Sequence, residues 1–95
     1  MGRRGLYIGA EMDYDFDWDE ANEEKLLLRH HVRAQEVEEV FYGGPEVQRE
    51  GDAYLAVGPT AAGRWLLVVF VLREGRIRPY SARDLTPREK RRFKR

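Results

Sequence analysis

The chain has 95 residues, which is enough for one domain with a single hydrophobic core. It contains no cysteine, and this excludes disulfides and thiolate zinc sites. Its longest apolar run, from Trp65 to Leu72, is far shorter than the roughly 20 residues that a membrane-spanning helix needs. Residues 1–12 also lack the apolar segment of a signal peptide. We therefore expect a cytoplasmic protein without a membrane partner.

The net charge of zero conceals a separation of charge along the chain. Residues 11–50 contain thirteen acidic and four basic residues, whereas residues 64–95 contain eleven basic and three acidic residues. Such polarity predicts one face that attracts polyanions and another that attracts a basic partner. The alternative is that the charges of a highly charged surface segregate by chance.

The sequence pattern changes after residue 13, which separates an N-terminal segment from the rest of the chain. Residues 1–13 show no clear periodicity, and we interpret them as an N-terminal extension of one domain that covers residues 14–95. Tyr14, Phe16 and Trp18 alternate with aspartates. This period of two predicts a half-buried strand whose aromatic rings point inward and whose carboxylates point outward.

The aspartates of this segment also come close to the pattern of an EF-hand calcium loop. Trp18 stands where such a loop requires glycine, and a calcium loop would leave the aromatic residues exposed. A strand explains the pattern better, so we expect no metal and no other cofactor. The acidic stripe is instead predicted to bind a basic partner through Asp13, Asp15 and Asp17.

The remaining elements follow from capping residues and periodicity. Asp19 is a good N-cap for a helix that extends to His30, and a second helix is predicted from Ala34 to Phe41. Thr86-Pro87 begins a last, basic helix. Short turns connect the predicted strands as an antiparallel meander. The strands are Glu46–Arg49, Ala53–Gly58, Arg64–Leu72 and Arg76–Ser81. The predicted class is α+β, with a sheet of four to five strands, two N-terminal helices and one C-terminal helix.

The last two strands carry the clearest functional signal. The run from Arg64 to Leu72 is rich in β-branched and aromatic residues and predicts a strand buried on both faces. The next strand carries guanidinium groups, which suit phosphate recognition. The pattern therefore favours RNA or DNA as a partner. The basic residues of the C-terminal helix either extend this track or form an ordinary solvated helix face.

The ordered set of these segments resembles the BrnT toxins, which are the ribonuclease components of bacterial type II toxin–antitoxin pairs. The resemblance covers about residues 14–93. It is carried by Phe16-Asp-Trp-Asp19, Arg29-His30-x-Val32, Glu36 to Phe41, Val57-Gly58, Gly63-Arg64-x-Leu-x-Val-Val-Phe, Ser81-Ala-Arg83 and Arg88-Glu89. It implies a RelE-like fold, RNA cleavage, and neutralisation by a BrnA-type antitoxin. Promoter DNA would then be bound only through the antitoxin.

The sequence departs from the family pattern at several positions. His31 replaces a glycine, Arg33 replaces a small hydroxyl cap, and Phe93 replaces a common tyrosine. Pro79 and Tyr80 replace two isoleucines. Because proline donates no ladder hydrogen bond, we expect the strand to be an edge or to be bulged there.

A ribonuclease without thiolates or a metal cluster is expected to use the 2′-hydroxyl of its substrate as the nucleophile. It then needs cations for the phosphoryl oxygens, a base and an acid. We predict that Arg64 and Arg83 clamp one phosphate. His30 is the preferred acid or base, and Glu89 is the reserve. RNA binding is assigned to Arg73, Arg78, Ser81, Arg88 and Arg91.

Two other functions stay open at this stage. A basic sheet of this kind can hold nucleic acid without cutting it, as a decayed toxin would. The domain can also be a purely structural interaction module. In that case neither RNA binding nor RNA cleavage would depend on Arg64 or Arg83.

Overall fold

The computed structural model describes residues 14–94, in which three helices accompany one four-stranded antiparallel sheet. The strands are hydrogen-bonded in the order β1-β2-β3-β4. The predicted α+β class is thereby confirmed, and the extension over residues 1–13 lies outside the described residues. The elements are α1 (Glu20–His30), α2 (Ala34–Tyr42), β1 (Glu46–Glu50), β2 (Ala53–Pro59), β3 (Trp65–Arg73), β4 (Arg76–Asp84) and α3 (Pro87–Phe93).

Helix α1 begins where the sequence predicts. The Asp19 side chain accepts a hydrogen bond from the backbone N–H of Asn22 at 2.9 Å, and the Asn22 side chain accepts one from the Asp19 N–H at 2.8 Å. Asn22 is buried, and its Nδ2 donates to the carbonyls of Asp17 and Pro79 at 3.1 Å each. One side chain therefore caps the helix and joins it to β4.

Helix α2 lacks a side-chain cap of the usual kind, as the sequence predicts. Arg33 occupies the N-cap position and offers no acceptor, so only the reverse bond forms, from its backbone N–H to Glu36 Oε1 at 3.0 Å. The helix is stabilised by burial of its apolar face, which consists of Val37, Val40 and Phe41.

The sheet has one covered and one open face. Leu66, Val68 and Phe70 of β3 are buried in a core with residues of both N-terminal helices. The intervening side chains of β3 are only half-buried. The prediction that β3 is buried on both faces is therefore wrong, because α1 and α2 pack on one side of the sheet only. We call the other side the open face: Trp65, Leu67, Val69 and Val71 of β3 with Ser81 and Arg83, which pair with Val69 and Leu67.

The segment before α1 is extended but is not a full strand. It forms a single parallel bridge between Phe16 and Ile77 at the outer side of β4. The rings of Tyr14 and Phe16 do pack inward, against Phe41. The expectation that the carboxylates all point outward is wrong for Asp17, which is buried.

Strand β4 is irregular near its centre. Its register against β3 shifts between Val69 and Phe70, which pair with Ser81 and Pro79, so that Tyr80 is the extra residue. Pro79 is fully buried. The predicted bulge is confirmed, and it follows from the missing N–H of proline. Between residues 14 and 94, no helix is both long enough and apolar enough to cross a membrane.

Replacement of Asn22 tests the junction between α1 and β4. We expect Asn22→Ala to lower the free energy of unfolding by about 1–3 kcal/mol, because two carbonyls and the Asp19 N–H lose a buried partner. Urea denaturation measures the loss. The control is Gln35→Ala, which removes an exposed amide from α2. Equal stability of the two variants would contradict this role.

Candidate active site and nucleic-acid interface

Arg64, just before β3, is held on the covered side of the sheet by three different elements. Its Nε and Nη2 donate to the two carboxylate oxygens of Asp84 at 2.7 and 3.1 Å. Its Nη1 donates to the carbonyl of His31 at 2.8 Å and to Glu36 at 3.2 Å. Arg64 therefore joins the end of α1, the first turn of α2 and the end of β4.

This bonding changes the pKa values of the pair. The hydrogen bond to Asp84 raises the pKa of Arg64 above its ordinary value, against the opposing effect of burial. The same hydrogen bond lowers the pKa of Asp84. Arg64 and Asp84 are therefore both charged over the physiological pH range, so the ion pair between them does not titrate within that range.

Arg83 lies on the opposite side of β4 from Asp84, because consecutive residues of a strand point to opposite faces. Its two terminal nitrogens donate to the two carboxylate oxygens of Glu89 at 2.8 and 2.9 Å. Its Nη1 also donates to the Asp84 carbonyl at 3.1 Å. Arg64 and Arg83 are therefore bonded to different carboxylates, Asp84 and Glu89, from opposite faces of β4.

The two arginines differ in what they still offer a ligand. A guanidinium group has five N–H donors, of which Arg64 uses four and Arg83 three within residues 14–94. The Arg64 side chain is 28% exposed and that of Arg83 is 49% exposed. Arg83 therefore keeps more exposed surface and more free donors than Arg64.

Glu89 is held at the start of α3 in the capping box of Thr86. Its Oε1 accepts the backbone N–H of Thr86 at 2.9 Å, and its own N–H donates to the Thr86 hydroxyl at 3.1 Å. The guanidinium of Arg83, followed by the Thr86 N–H, lowers the pKa of Glu89 to about 2. The carboxylate is therefore ionised at neutral pH and lies directly beside a half-exposed guanidinium.

Three further arginines gather at the other end of β4, around the aspartates before α1. Arg76 binds Asp15 at 3.1 Å, and Arg78 binds Asp19 at 2.9 Å. The carboxylate of Asp17 lies 3.4–3.6 Å from a guanidinium nitrogen of each member of this group, Arg73, Arg76 and Arg78. Arg78 and Arg83 pair with Val71 and Leu67 of β3, which are about 13 Å apart along the strand, and each of the two arginines is bonded to a different carboxylate.

The residues predicted to bind RNA fall into two classes. Arg78 is 20% exposed and is engaged with aspartates, whereas Arg73 is 58% exposed and only loosely paired. Arg88 and Arg91 lie exposed on α3, with no ion pair inside the described part of the chain. Ser81 is half-buried on the open face.

The two histidines lie at the end of α1. His30 is half-buried, and His31 adopts a left-handed backbone conformation with φ of 56°. This conformation suits the glycine of the family pattern. The His31 carbonyl binds Arg64, which places this end of α1 near Asp84 on the covered side of the sheet. No hydrogen bond joins His30 to Arg83 or Glu89 in the range 14–94.

A groove of about 440 Å³ lies beside Arg64, between the start of α2 and the loop that joins β2 to β3. Its polar lining includes His31, Glu36, Glu39 and Thr60. Glu39 Oε1 accepts the backbone N–H of Ala61 at 3.0 Å, which fixes that loop. Sequence reasoning missed Glu36 and Asp84 as partners of Arg64, since neither is near it in the chain. The only feature of the sequence that could have identified Glu36 is its position in the first turn of α2.

The pH dependence of folding tests the pair of Arg83 and Glu89. The folded pKa of Glu89, about 2, lies below its ordinary value of 4.5. The pair therefore stabilises the fold above about pH 4.5, and this contribution is lost as the pH falls toward 2. We expect Glu89→Gln to be less stable than the unmodified protein at pH 6, with a difference that disappears toward pH 2.

Thermal denaturation from pH 2 to 7 measures this difference. Glu50→Gln is the control, since Glu50 is exposed on β1 and has no ion pair within the described residues. A stability deficit of Glu89→Gln that stays constant across the pH range would show that the carboxylate charge does not stabilise the fold.

Comparisons with known proteins agree with this architecture. The family described as "Ribonuclease toxin, BrnT, of type II toxin-antitoxin system" matches residues 18–89. The crystal structure of the Brucella abortus ribonuclease toxin BrnT superimposes with a TM-score of 0.64 at 17% identity, covering 78% of this chain and 99% of that one. No curated protein matches the sequence. Since the family match spans most of the chain, the protein belongs to the BrnT family of ribonuclease toxins of type II toxin–antitoxin systems.

Proposed function

We propose that this protein cleaves RNA through metal-independent attack of the substrate 2′-hydroxyl, at the end of the open face marked by Arg83 and Glu89. The observation that supports the proposal is the bidentate hydrogen bond between the Arg83 guanidinium and the Glu89 carboxylate. It sets an ionised carboxylate beside a guanidinium that is half-exposed and retains free donors. These are the two kinds of group that the reaction requires, a base and a stabiliser of phosphoryl charge.

The reaction is a transfer within the RNA. The 2′-oxygen forms a bond to the adjacent phosphorus, and the bond from phosphorus to the 5′-oxygen breaks. The products are a 2′,3′-cyclic phosphate and a free 5′-hydroxyl. A base removes the proton of the 2′-hydroxyl, an acid protonates the leaving 5′-oxygen, and cations stabilise the charge on the phosphoryl oxygens.

In this proposal Arg83 stabilises the phosphoryl charge and Glu89 is the base. A phosphate that binds Arg83 competes with Glu89 for the same N–H groups, because both ligands are anionic oxygens. The Arg83 hydrogen bond is the main reason that the pKa of Glu89 is low. Substrate binding therefore frees the carboxylate and raises its pKa, so that Glu89 becomes a better base once the phosphate is in place.

The remaining residues support binding and proton transfer in this proposal. His30 is the proposed acid, because an imidazole can donate a proton to a leaving oxygen; it lies at the end of α1, on the covered side of the sheet. Ser81 donates a hydrogen bond to the RNA from the open face, and exposed cations hold the backbone on either side. These cations are Arg73, Arg88 and Arg91. Arg64 and Arg78 position the strands and the loops through their carboxylate partners.

Cleavage assays with single substitutions test the proposal. We expect Arg83→Ala to reduce the rate roughly a hundredfold, as loss of an electrostatic stabiliser does in other enzymes. Arg49→Ala is the matched control, because Arg49 is exposed on β1 at the other edge of the sheet. A substrate with deoxyribose at the scissile position should survive intact. Cleavage of DNA oligonucleotides would rule out the 2′-hydroxyl mechanism.

The binding-module alternative predicts a different result in the same experiment. A protein that only holds RNA gives salt-dependent binding without products, and Arg83→Ala then changes affinity alone. Equal cleavage rates for Arg83→Ala and Arg49→Ala would exclude Arg83 as the phosphate ligand.

The antitoxin is proposed to be of the BrnA type, with promoter DNA bound only through it, and to dock on the acidic side of the molecule. Of the predicted docking residues, Asp13 lies outside the described range and Asp15 is exposed beside Arg76. The Asp17 side chain is 12% exposed and is surrounded by arginines, so its part in docking is indirect. The acidic surface continues along α1 through Glu20, Glu23 and Glu24, all of which are exposed.

Neutralisation of this acidic surface tests the docking proposal. We expect Glu20, Glu23 and Glu24 changed together to Gln to weaken antitoxin binding at low salt, mainly through a slower association rate. Surface plasmon resonance at two ionic strengths measures this effect. Glu50→Gln with Asp52→Asn is the control at the distant β1–β2 turn. Identical association rates for both variants would contradict docking on α1.

A further inference from the structure

Trp65 lies apart from the cluster of aromatic residues in the core. It is the first residue of β3 and lies on the open face, two residues before Leu67, whereas Leu66 between them is fully buried under the helices. Trp65 is half-buried. The rings of Tyr14, Phe16 and Phe41 cluster on the other side of the sheet.

The two tryptophans differ in whether the ring and the indole N–H group have partners within the described residues. The Trp18 indole N–H donates to Glu38 Oε2 at 2.8 Å, and its ring stacks on Phe16 with centroids 6.2 Å apart. Inside residues 14–94, the Trp65 ring has no aromatic neighbour and its indole N–H has no hydrogen-bond acceptor. A tryptophan of this kind offers a flat apolar surface and a free donor to a ligand.

Trp65 also lies close to the proposed phosphate ligand. Leu67 is directly opposite Arg83 in the antiparallel pair of β3 and β4. Because Trp65 precedes Leu67 by two residues on the same face, it is the diagonal neighbour of Arg83, a position roughly 7–8 Å away that long and aromatic side chains can span. The backbone N–H of Leu85 donates to the Trp65 carbonyl at 3.1 Å and fixes the start of β3 at this place.

We propose that Trp65 is the stacking platform for an unpaired RNA base next to the phosphate that Arg83 binds. The inference rests on the proposed function and adds a base subsite to it. An indole ring stacks on any of the four bases, so the subsite recognises single-stranded RNA rather than one sequence. The free indole N–H then hydrogen-bonds the sugar or phosphate at the edge of the stacked base.

The experiment uses a fully 2′-O-methylated single-stranded RNA oligonucleotide, which lacks the nucleophile and is not consumed. In a protein carrying Trp18→Phe, Trp65 is the only tryptophan. We expect its fluorescence to be quenched on binding. Trp65→Leu should weaken binding of this probe by roughly 5- to 100-fold, in the range of one lost base–aromatic stack. Trp65→Phe should retain most of the affinity, since the ring is kept.

The outcomes separate this inference from the ribonuclease proposal. Thermal denaturation first establishes that Trp65→Leu and Trp65→Phe are folded, and Trp18→Phe serves as the control with normal binding. Cleavage by Trp65→Leu at the unmodified rate, with unchanged affinity for the probe, overturns the stacking role and leaves the ribonuclease intact. Equal losses in Trp65→Leu and Trp65→Phe also overturn it. Absence of cleavage by the unmodified protein instead overturns the proposed function.

Discussion

The packing of this small domain depends on the position of one guanidinium group. Arg64 ties together the His31 carbonyl after α1, Glu36 in the first turn of α2, and Asp84 at the end of β4. These three partners are 33, 28 and 20 residues away in the chain. Helix α2 has no side-chain cap of its own, so the contact to Glu36 also fixes the place where that helix begins. Removal of this group would leave the three elements without their common hydrogen-bond donor and the Glu36 carboxylate, which is 25% exposed, without its counter-ion.

This role has a functional consequence for the two faces of the sheet. Arg64 and Asp84 neutralise each other on the covered side, and the neighbouring residue, Arg83, is directed to the open face by strand geometry. There its carboxylate partner is Glu89, which lies in the first turn of the short helix α3 and not in the core. An ion pair at such a surface is weak and exchangeable, so an incoming phosphate can replace the carboxylate. An arginine–carboxylate pair thus joins three elements on one face of β4, and a second such pair on the other face is the centre of the proposed active site.

The acidic and the basic parts of the sequence meet in the fold at one end of β4, where aspartates form ion pairs with arginines. Arg76 and Arg78 lie against the aspartates that precede α1, and together they hold the first described segment along the edge of the sheet. These ion pairs occupy basic groups that the charge distribution along the sequence predicts to bind RNA. Among the basic residues from Arg64 to Lys94, those of α3 have no ion pair in the described part of the chain, and Arg73 at the end of β3 is only loosely paired.

The sequence by itself determined the elements, because their signals are local. Asp19 and Thr86 marked helix starts that the structure confirms, and Pro79 marked the bulge of β4 through its missing N–H. The antiparallel meander followed from short turns, and the resemblance to BrnT toxins identified the family. Only the tertiary structure decided which charges are free. The carboxylate partners of Arg64 and Arg78 are 20 and 59 positions away in the chain, so local sequence does not show that these arginines are paired. Tertiary structure also decided that both helices cover the same face of β3, since an apolar run looks alike whether one or both of its faces are buried.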